Sequence, residues 1–181
     1  MNKRLLLLLL SFFATHLINA QDEFIARQGQ VSFFSYASVE NIEAQNNQVL
    51  SILDVANKKI AVSMLMRAFV FKKDLMYEHF NESYVESDIY PKATFEGNII
   101  DFDTKASNQV KIIEGNLNIH GITKKTNVKA TISKDESAYL ITGEFVVLVK
   151  DFDIKIPPVL TSNIAKSITL KFTFQYQPYE E

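Results

Sequence analysis

Cysteine is absent from this 181-residue chain, and its absence removes disulfides, thiolate metal sites and a cysteine nucleophile together. Small exported domains often depend on disulfides, so a chain without them must bury enough apolar surface to hold itself together. Histidine is scarce as well, with only His16, His79 and His120. No HxH or HxxxH grouping occurs, whereas a zinc-type site needs three or four convergent ligands. His79 and His120 are therefore read as local hydrogen-bonding residues, His120 at a turn in which Gly121 takes a positive φ. Basic charge is not in excess either, which argues against a nucleic-acid partner, since that requires a concentrated cationic surface. There is no GxSxG elbow, and Ser32, Ser35, Ser51 and Ser63 fall in strand-like stretches. The acidic pairs Asp101/Asp103 and Asp151/Asp153 sit near strand ends, where solvation explains them better than general acid–base work. No catalytic residue, cofactor or metal is assigned. Internal repeats, linkers and low-complexity tracts are also missing, so one domain is expected.

What the chain does have begins at its N-terminus. Lys3 and Arg4 precede the Leu5–Leu10 run, which continues through Phe12, Phe13 and Ala14. A basic start, a short apolar core and a small residue at its end describe a secretory signal peptide. Residues 1–20 are assigned to it, with Ala20 at the cleavage site. The stretch from Leu5 to Ile18 falls short of the ~20 residues that a retained membrane anchor needs. With no cysteine after it, attachment through a lipobox is excluded. Residues 21–181 then form the mature domain, 161 residues carrying 17 basic and 21 acidic groups, a net charge of −4. The expected location is outside the cytoplasm, periplasmic or extracellular, with no transmembrane anchor after cleavage.

From Phe24 onward the dominant pattern is two-residue alternation, the signature of strands with one face in and one face out. Ile168, Leu170, Phe172, Phe174 and Tyr176 share one parity, and Thr169, Lys171, Thr173 and Gln175 the other. Val128, Ala130 and Ile132 repeat it, as do Ala93, Phe95, Gly97 and Ile99. Eight strands are expected, at about 24–36, 41–54, 58–71, 92–103, 108–120, 122–134, 138–150 and 164–176. Turns are expected at Asn57-Lys58, Gly121–Thr123 and Lys134–Ser137, with a further short turn near 160–165. One helical segment is expected over 73–85, where Leu75, Met76, His79 and Phe80 recur at helical spacing ahead of Pro91. Ile60–Phe71 and Phe145–Val149 are apolar on both parities, as though covered on both sides. Between Val110 and Ile119 the parity flips at Ile112-Ile113, which reads as a β-bulge. The fold class is all-β with one short helix: an eight-stranded antiparallel barrel, whose interior either fills with side chains or holds a small ligand.

Two cations interrupt apolar runs. Arg67 and Lys150 stand either at the barrel mouth, facing an anionic head group, or on the outside, snorkelling at strand ends. Inward parity and the two-faced segments nominate Phe33, Phe69, Phe95, Ile119, Phe145 and Phe172 as cavity lining. Together with Arg67 and, from the helical segment, Leu75 and Phe80, these are the expected ligand-binding residues. The bland alternative is that the phenylalanines are packed core.

Residues 75–99 (LMYEHFNESYVESDIYPKATFEGNI) resemble the YceI-like family of exported lipid-binding proteins, through His79-Phe80, Tyr84, Tyr90-Pro91 and Phe95. Residues 115–128 (GNLNIHGITKKTNV) are similar to that family's hairpin. Residues 149–157 (VKDFDIKIP) are similar to its Asp-aromatic turn, with Asp153 where the family has glycine; Asp tolerates left-handed backbone better than most residues. Leu75-Met76 stand where the family carries Arg-Asp, and its basic residue before the turn is either shifted to Lys150 or lost. The resemblance implies a lipocalin-like barrel whose interior accepts a long apolar chain, a polyisoprenoid or fatty acyl lipid. The expected function is extracytoplasmic binding or sequestration of that ligand. A packed structural or stress-related envelope barrel is the alternative, and a small lipid-acting enzyme a third.

Overall fold

A computed structural model describes residues 22–36, 41–156 and 166–179. Residues 1–20 and the expected turn at 160–165 lie outside the described residues. Nine strands are present among them: β1 (Glu23–Ser35), β2 (Ile42–Asp54), β3 (Lys59–Leu65), β4 (Val70–Phe71), β5 (Lys92–Ile99), β6 (Asn108–Ile119), β7 (Ile122–Asp135), β8 (Ala138–Leu148) and β9 (Ser167–Pro178). All pairings are antiparallel, in the order β1-β9-β8-β7-β6-β5-β3-β2, and β2 pairs back with β1 to close the ring. Eight strands thus make a closed barrel with no free edge. The ninth, β4, adds two residue pairs to β2 at Ala44↔Phe71 and Gln45↔Val70.

The expected strand over 58–71 is therefore two strands, β3 and β4, separated by a 3₁₀ turn at Met66–Ala68. Asn46, fully buried on β2, bridges the break: its amide donates to the Leu65 carbonyl at 2.9 Å, and its side-chain oxygen accepts from the Gln48 backbone N–H at 2.8 Å. The Met66 N–H, leaving the ladder, donates to the Pro91 carbonyl. A buried backbone group that loses its ladder partner must find another, and here a side chain from β2 and a carbonyl from the loop before β5 accept that role.

Alternation survives folding on β9, where Leu170, Phe172, Phe174 and Tyr176 are all buried while Lys171 and Gln175 are exposed. The bulge expected at Ile112-Ile113 does not occur: β6 keeps an unbroken register with both neighbours. Val110 and Ile112 simply face solvent, 56% and 40% exposed, while Ile113 and Leu117 face in. Register shifts occur instead in β1, on either side of Gly29. The double-sided covering expected for 60–71 and 145–149 is likewise corrected. Leu65, Val70, Val146 and Leu148 are exposed on the outer face, because the helical segment caps an end of the barrel rather than lying across its wall.

That segment is a short helix, α1 (Asp74–His79), which widens into π-type turns over Phe80–Tyr84. The opposite end of the barrel carries an open cleft lined by Asp22, Lys58, Lys105 and Lys134 around the rings of Phe24 and Tyr139. Phe24 and Tyr139 meet edge-to-face at 4.8 Å between ring centroids, and Tyr176 is wholly buried. The Ser51 hydroxyl donates to the Ala61 carbonyl at 2.9 Å, so the Tyr176 phenol donates to Ser51 Oγ at 2.6 Å. Burial raises the Tyr176 pKa further than this hydrogen bond lowers it, so the phenol remains a donor.

Turn chemistry fixes the hairpins. His120 and Gly121, at φ 53° and 74°, form a two-residue turn between the paired Ile119 and Ile122, the left-handed geometry that matches strand twist. Asp153 takes φ 51°, the conformation for which an aspartate substitutes for glycine. In the β2–β3 turn the Asp54 carboxylate accepts from the Asn57 backbone N–H and side-chain amide, both at 2.8 Å. These bonds hold its carboxyl below the ordinary range. A lowered carboxylate stabilises the fold above its unfolded pKa of ~3.9, and the gain is lost as pH falls through the folded value. Asp54→Ala should cost about 0.5–1 kcal/mol near pH 7, allowing for solvent screening. Denaturant titrations should show that difference shrinking below about pH 4. A constant difference across pH would refute the role of the charge.

Candidate functional site

Because inward residues alternate along every strand, the barrel interior is a column of side chains whose size at each level decides whether it is solid. At the waist it is nearly so. Between the waist and α1 the inward positions carry smaller or more flexible residues, among them Ala93 on β5, Met64 on β3 and Val147 on β8. A chamber of about 400 Å³ remains there, closed over by Phe69, Phe71, Leu75, Met76 and Phe80. A second void of about 50 Å³ lies at the waist, and Met64 and Leu170 line both.

The chamber's aromatic wall is a connected cluster. Phe33 from β1 stacks on Phe80 of the cap at 5.5 Å and 25° between planes. Phe69 meets Phe33 at 5.4 Å and Phe80 at 5.6 Å, and Phe71 meets Phe80 at 5.0 Å. The cap is thus anchored to the barrel by ring–ring contacts of about 0.5–1.5 kcal/mol each beyond area burial. Polar groups are few: among the described residues, Ser35, Lys73, His79 and Tyr84 are the chamber's residues with polar side chains. Desolvation raises the Tyr84 pKa, so its phenol stays protonated.

Five of the nine expected ligand-binding residues, Phe33, Phe69, Leu75, Phe80 and Ile119, line the chamber. Phe95, Phe145 and Phe172 line the waist void instead. There the rings are pressed against glycines. A Cβ built on Gly97 or Gly115 would meet the Phe95 ring at 3.0 or 2.6 Å, and one on Gly143 the Phe172 ring at 2.6 Å. Arg67 lines neither space. It sits exposed on the 3₁₀ turn and pairs with Asp88, the outward alternative. Lys150 is exposed on the turn after β8 and also stays out of the chamber. Ala93, Met64 and Val147 were missed as lining residues. Ala93 lies on an inward parity, while Met64 and Val147 fall in runs apolar on both parities, and neither pattern carries information about depth along the barrel.

His120 supports the site from behind. The Phe152 carbonyl only accepts, so His120 Nδ1–H donates to it at 3.0 Å, while Nε2 lies 2.8 Å from Glu86 Oε2. The ring also packs edge-on against Tyr90 at 4.4 Å. One imidazole thereby joins the β6–β7 hairpin, the loop leaving the cap and the Phe152 turn, and Phe152 itself lines the chamber.

Among the described residues no helix is long and apolar enough to cross a membrane. A family model described as a YceI-like domain matches residues 23–176. Curated proteins give no match. Solved structures do. A polyisoprenoid-binding domain from Saccharophagus degradans, implicated in plant cell wall breakdown, superposes with a TM-score of 0.74 at 11% identity, covering 87% of this chain and 99% of that one. BcnA of Burkholderia cenocepacia gives 0.69 at 17% identity, with 81% and 95% covered. The YceI protein of Campylobacter jejuni gives 0.65 at 16%, with 80% and 90% covered. At these identities the likeness is one of fold.

Proposed function

This chain belongs to the YceI-like family, and from that premise we propose that it binds a long-chain apolar ligand, a polyisoprenoid or fatty acyl lipid, inside the barrel and outside the cytoplasm. The single observation that carries the reading is the apolar chamber of about 400 Å³ beneath a cap of aromatic and aliphatic side chains. That size lies within the usual range of small-molecule sites. Burial contributes roughly 0.8 kcal/mol per CH₂, against an association cost of ~4–15 kcal/mol. A ligand with few carbons therefore cannot be retained by a greasy interior alone, and a long chain can. The mechanism is sequestration: side chains replace water around the tail while the polar end stays near the cap. Nothing in this scheme requires a catalytic group. The family relative described as polyisoprenoid-binding supports the ligand class. The basic-then-leucine segment Lys3–Leu10 supports export, with mature protein starting at Gln21.

Native mass spectrometry of protein purified from its own host tests this. A co-purifying hydrophobic mass, released by organic solvent and replaced by added isoprenoid or long-chain lipid, is the expected result. No adduct, together with no saturable binding of either lipid class, would overturn the carrier reading in favour of an envelope protein whose partners bind outside.

A further inference from the structure

A floor one inward step thick separates the chamber from the waist void. On β1, β5 and β8 that step is clean: Val31, Phe95 and Phe145 line the void, and Phe33, Ala93 and Val147 line the chamber. Among the described residues only Met64 on β3 and Leu170 on β9 line both spaces, so these two side chains form the floor between them. They differ in how far they can yield. Leu170 is branched and stands between Phe33 and Phe145 on the adjoining strands. Met64 is unbranched, with three rotatable bonds and a polarisable thioether that adapts to irregular gaps. Its partner on β5 is Ala93, a side chain too small to fix it from that side. The void's walls beyond the floor do not yield, because the Phe95 ring presses on Gly97 and Gly115 and the Phe172 ring on Gly143.

Resting on the proposal that the chamber takes a long-chain lipid, we propose that Met64 is the ruler that sets the length of chain accepted. A tail that reaches the floor displaces the Met64 thioether, and its end enters the void of about 50 Å³. There it meets rings held against backbone, and lengthening brings no further burial. Methylenes beyond that point stay at the cap and add nothing to affinity. Selectivity for length thus comes from a yielding residue above a rigid waist. A chamber limited by its cap would be indifferent to the residue at position 64.

Saturated carboxylates from decanoate to docosanoate, with farnesol and geranylgeraniol as a branched pair, test this by titration at neutral pH. In the parent, affinity should rise about fourfold per methylene up to one limiting length and then level off. Met64→Ala should move that limit to longer chains, binding the carboxylate two carbons past it about tenfold tighter than the parent does. Met64→Leu keeps the volume but stiffens the floor, and should bring the limit to a shorter chain. Leu170→Val should lengthen the limit less than Met64→Ala, and it takes that variant's place if a thermal melt shows Met64→Ala unfolded. Chains too short to reach the floor should bind parent and variants alike, a pattern that a general loss of packing would not give. Should only the prenyl pair bind, the geranylgeraniol-to-farnesol affinity ratio carries the same test, rising in Met64→Ala and falling in Met64→Leu. One limiting length, or one ratio, shared by parent and all folded variants overturns the ruler and leaves the carrier intact. If neither the carboxylates nor the prenyl alcohols bind the parent, the carrier reading falls and this inference with it.

Discussion

Gly115→Ala should lower the melting temperature by roughly 5–10 °C, a large effect for the addition of one methyl group. Gly115 on β6 faces Gly97 on β5 across the ladder, and the Phe95 ring lies over both. A Cβ at 115 would stand 2.4 Å from the Glu96 carbonyl oxygen, 2.6 Å from Phe95 Cζ and 2.8 Å from the Gly97 Cα. Two of those three atoms are backbone, held by the β5–β6 ladder, so no rotamer change relieves the clash. Overpacking of this kind costs about 1–3 kcal/mol, and in a domain of this size each kcal/mol shifts the melting point by about 2–4 °C. Glycine in a strand usually forfeits stability. At this position it is required, because covering it with a phenylalanine gives the barrel a tightly filled waist. A melting point for Gly115→Ala within about 1 °C of the parent would contradict that packing.

The same glycine–phenylalanine contacts explain why the sequence disclosed the face of each residue but not its depth. Alternation on β5, β7 and β9 correctly put Ala93, Phe95, Val128, Ile132, Phe172 and Phe174 inside, because a strand with one dry face has period two whatever lies across from it. Depth depends on neighbours brought from afar in the chain. Phe95 sits at the waist because Gly97 and Gly115 leave room for its ring there, and register sets that coincidence. The break between β3 and β4 was illegible for a related reason: IAVSMLMRAFVF reads as one run, and Asn46, which bridges the gap, is 19 residues from its partner Leu65. Exposed Val110 and Ile112 imitated a bulge, since an apolar residue on the outside is ordinary and parity arguments read it as a flip. Arg67 is outside for want of an inward strand position: it falls on the 3₁₀ turn, where Asp88 meets it. The helical stripe of Leu75, His79 and Phe80 was legible, because spacing on a helix and exposure to one chamber are the same geometric fact.

Depth also decides where added volume would test the chamber. Phe95 has a ring already in contact with glycine backbones, so Phe95→Trp should destabilise the waist and report little about a ligand. Ala93, two residues earlier on β5 and paired with Met64, is buried and lines the chamber itself. Ala93→Phe therefore directs its ring into open space of about 400 Å³ rather than into backbone. Filling an apolar cavity recovers contacts that its lining lacks, so the melting point should stay within a few degrees of the parent or rise. A tail that needs the same space must be displaced or shortened by several methylenes. At roughly 0.8 kcal/mol each, losing two or more weakens binding at least tenfold. Titration of parent and variant with one long-chain lipid, alongside melts without it, separates two physical cases. Stability held with affinity lost means that the chamber is the ligand's room. Stability lost by the 1–3 kcal/mol of an overpacked core, with affinity unchanged, means that the interior is solid and any lipid binds elsewhere.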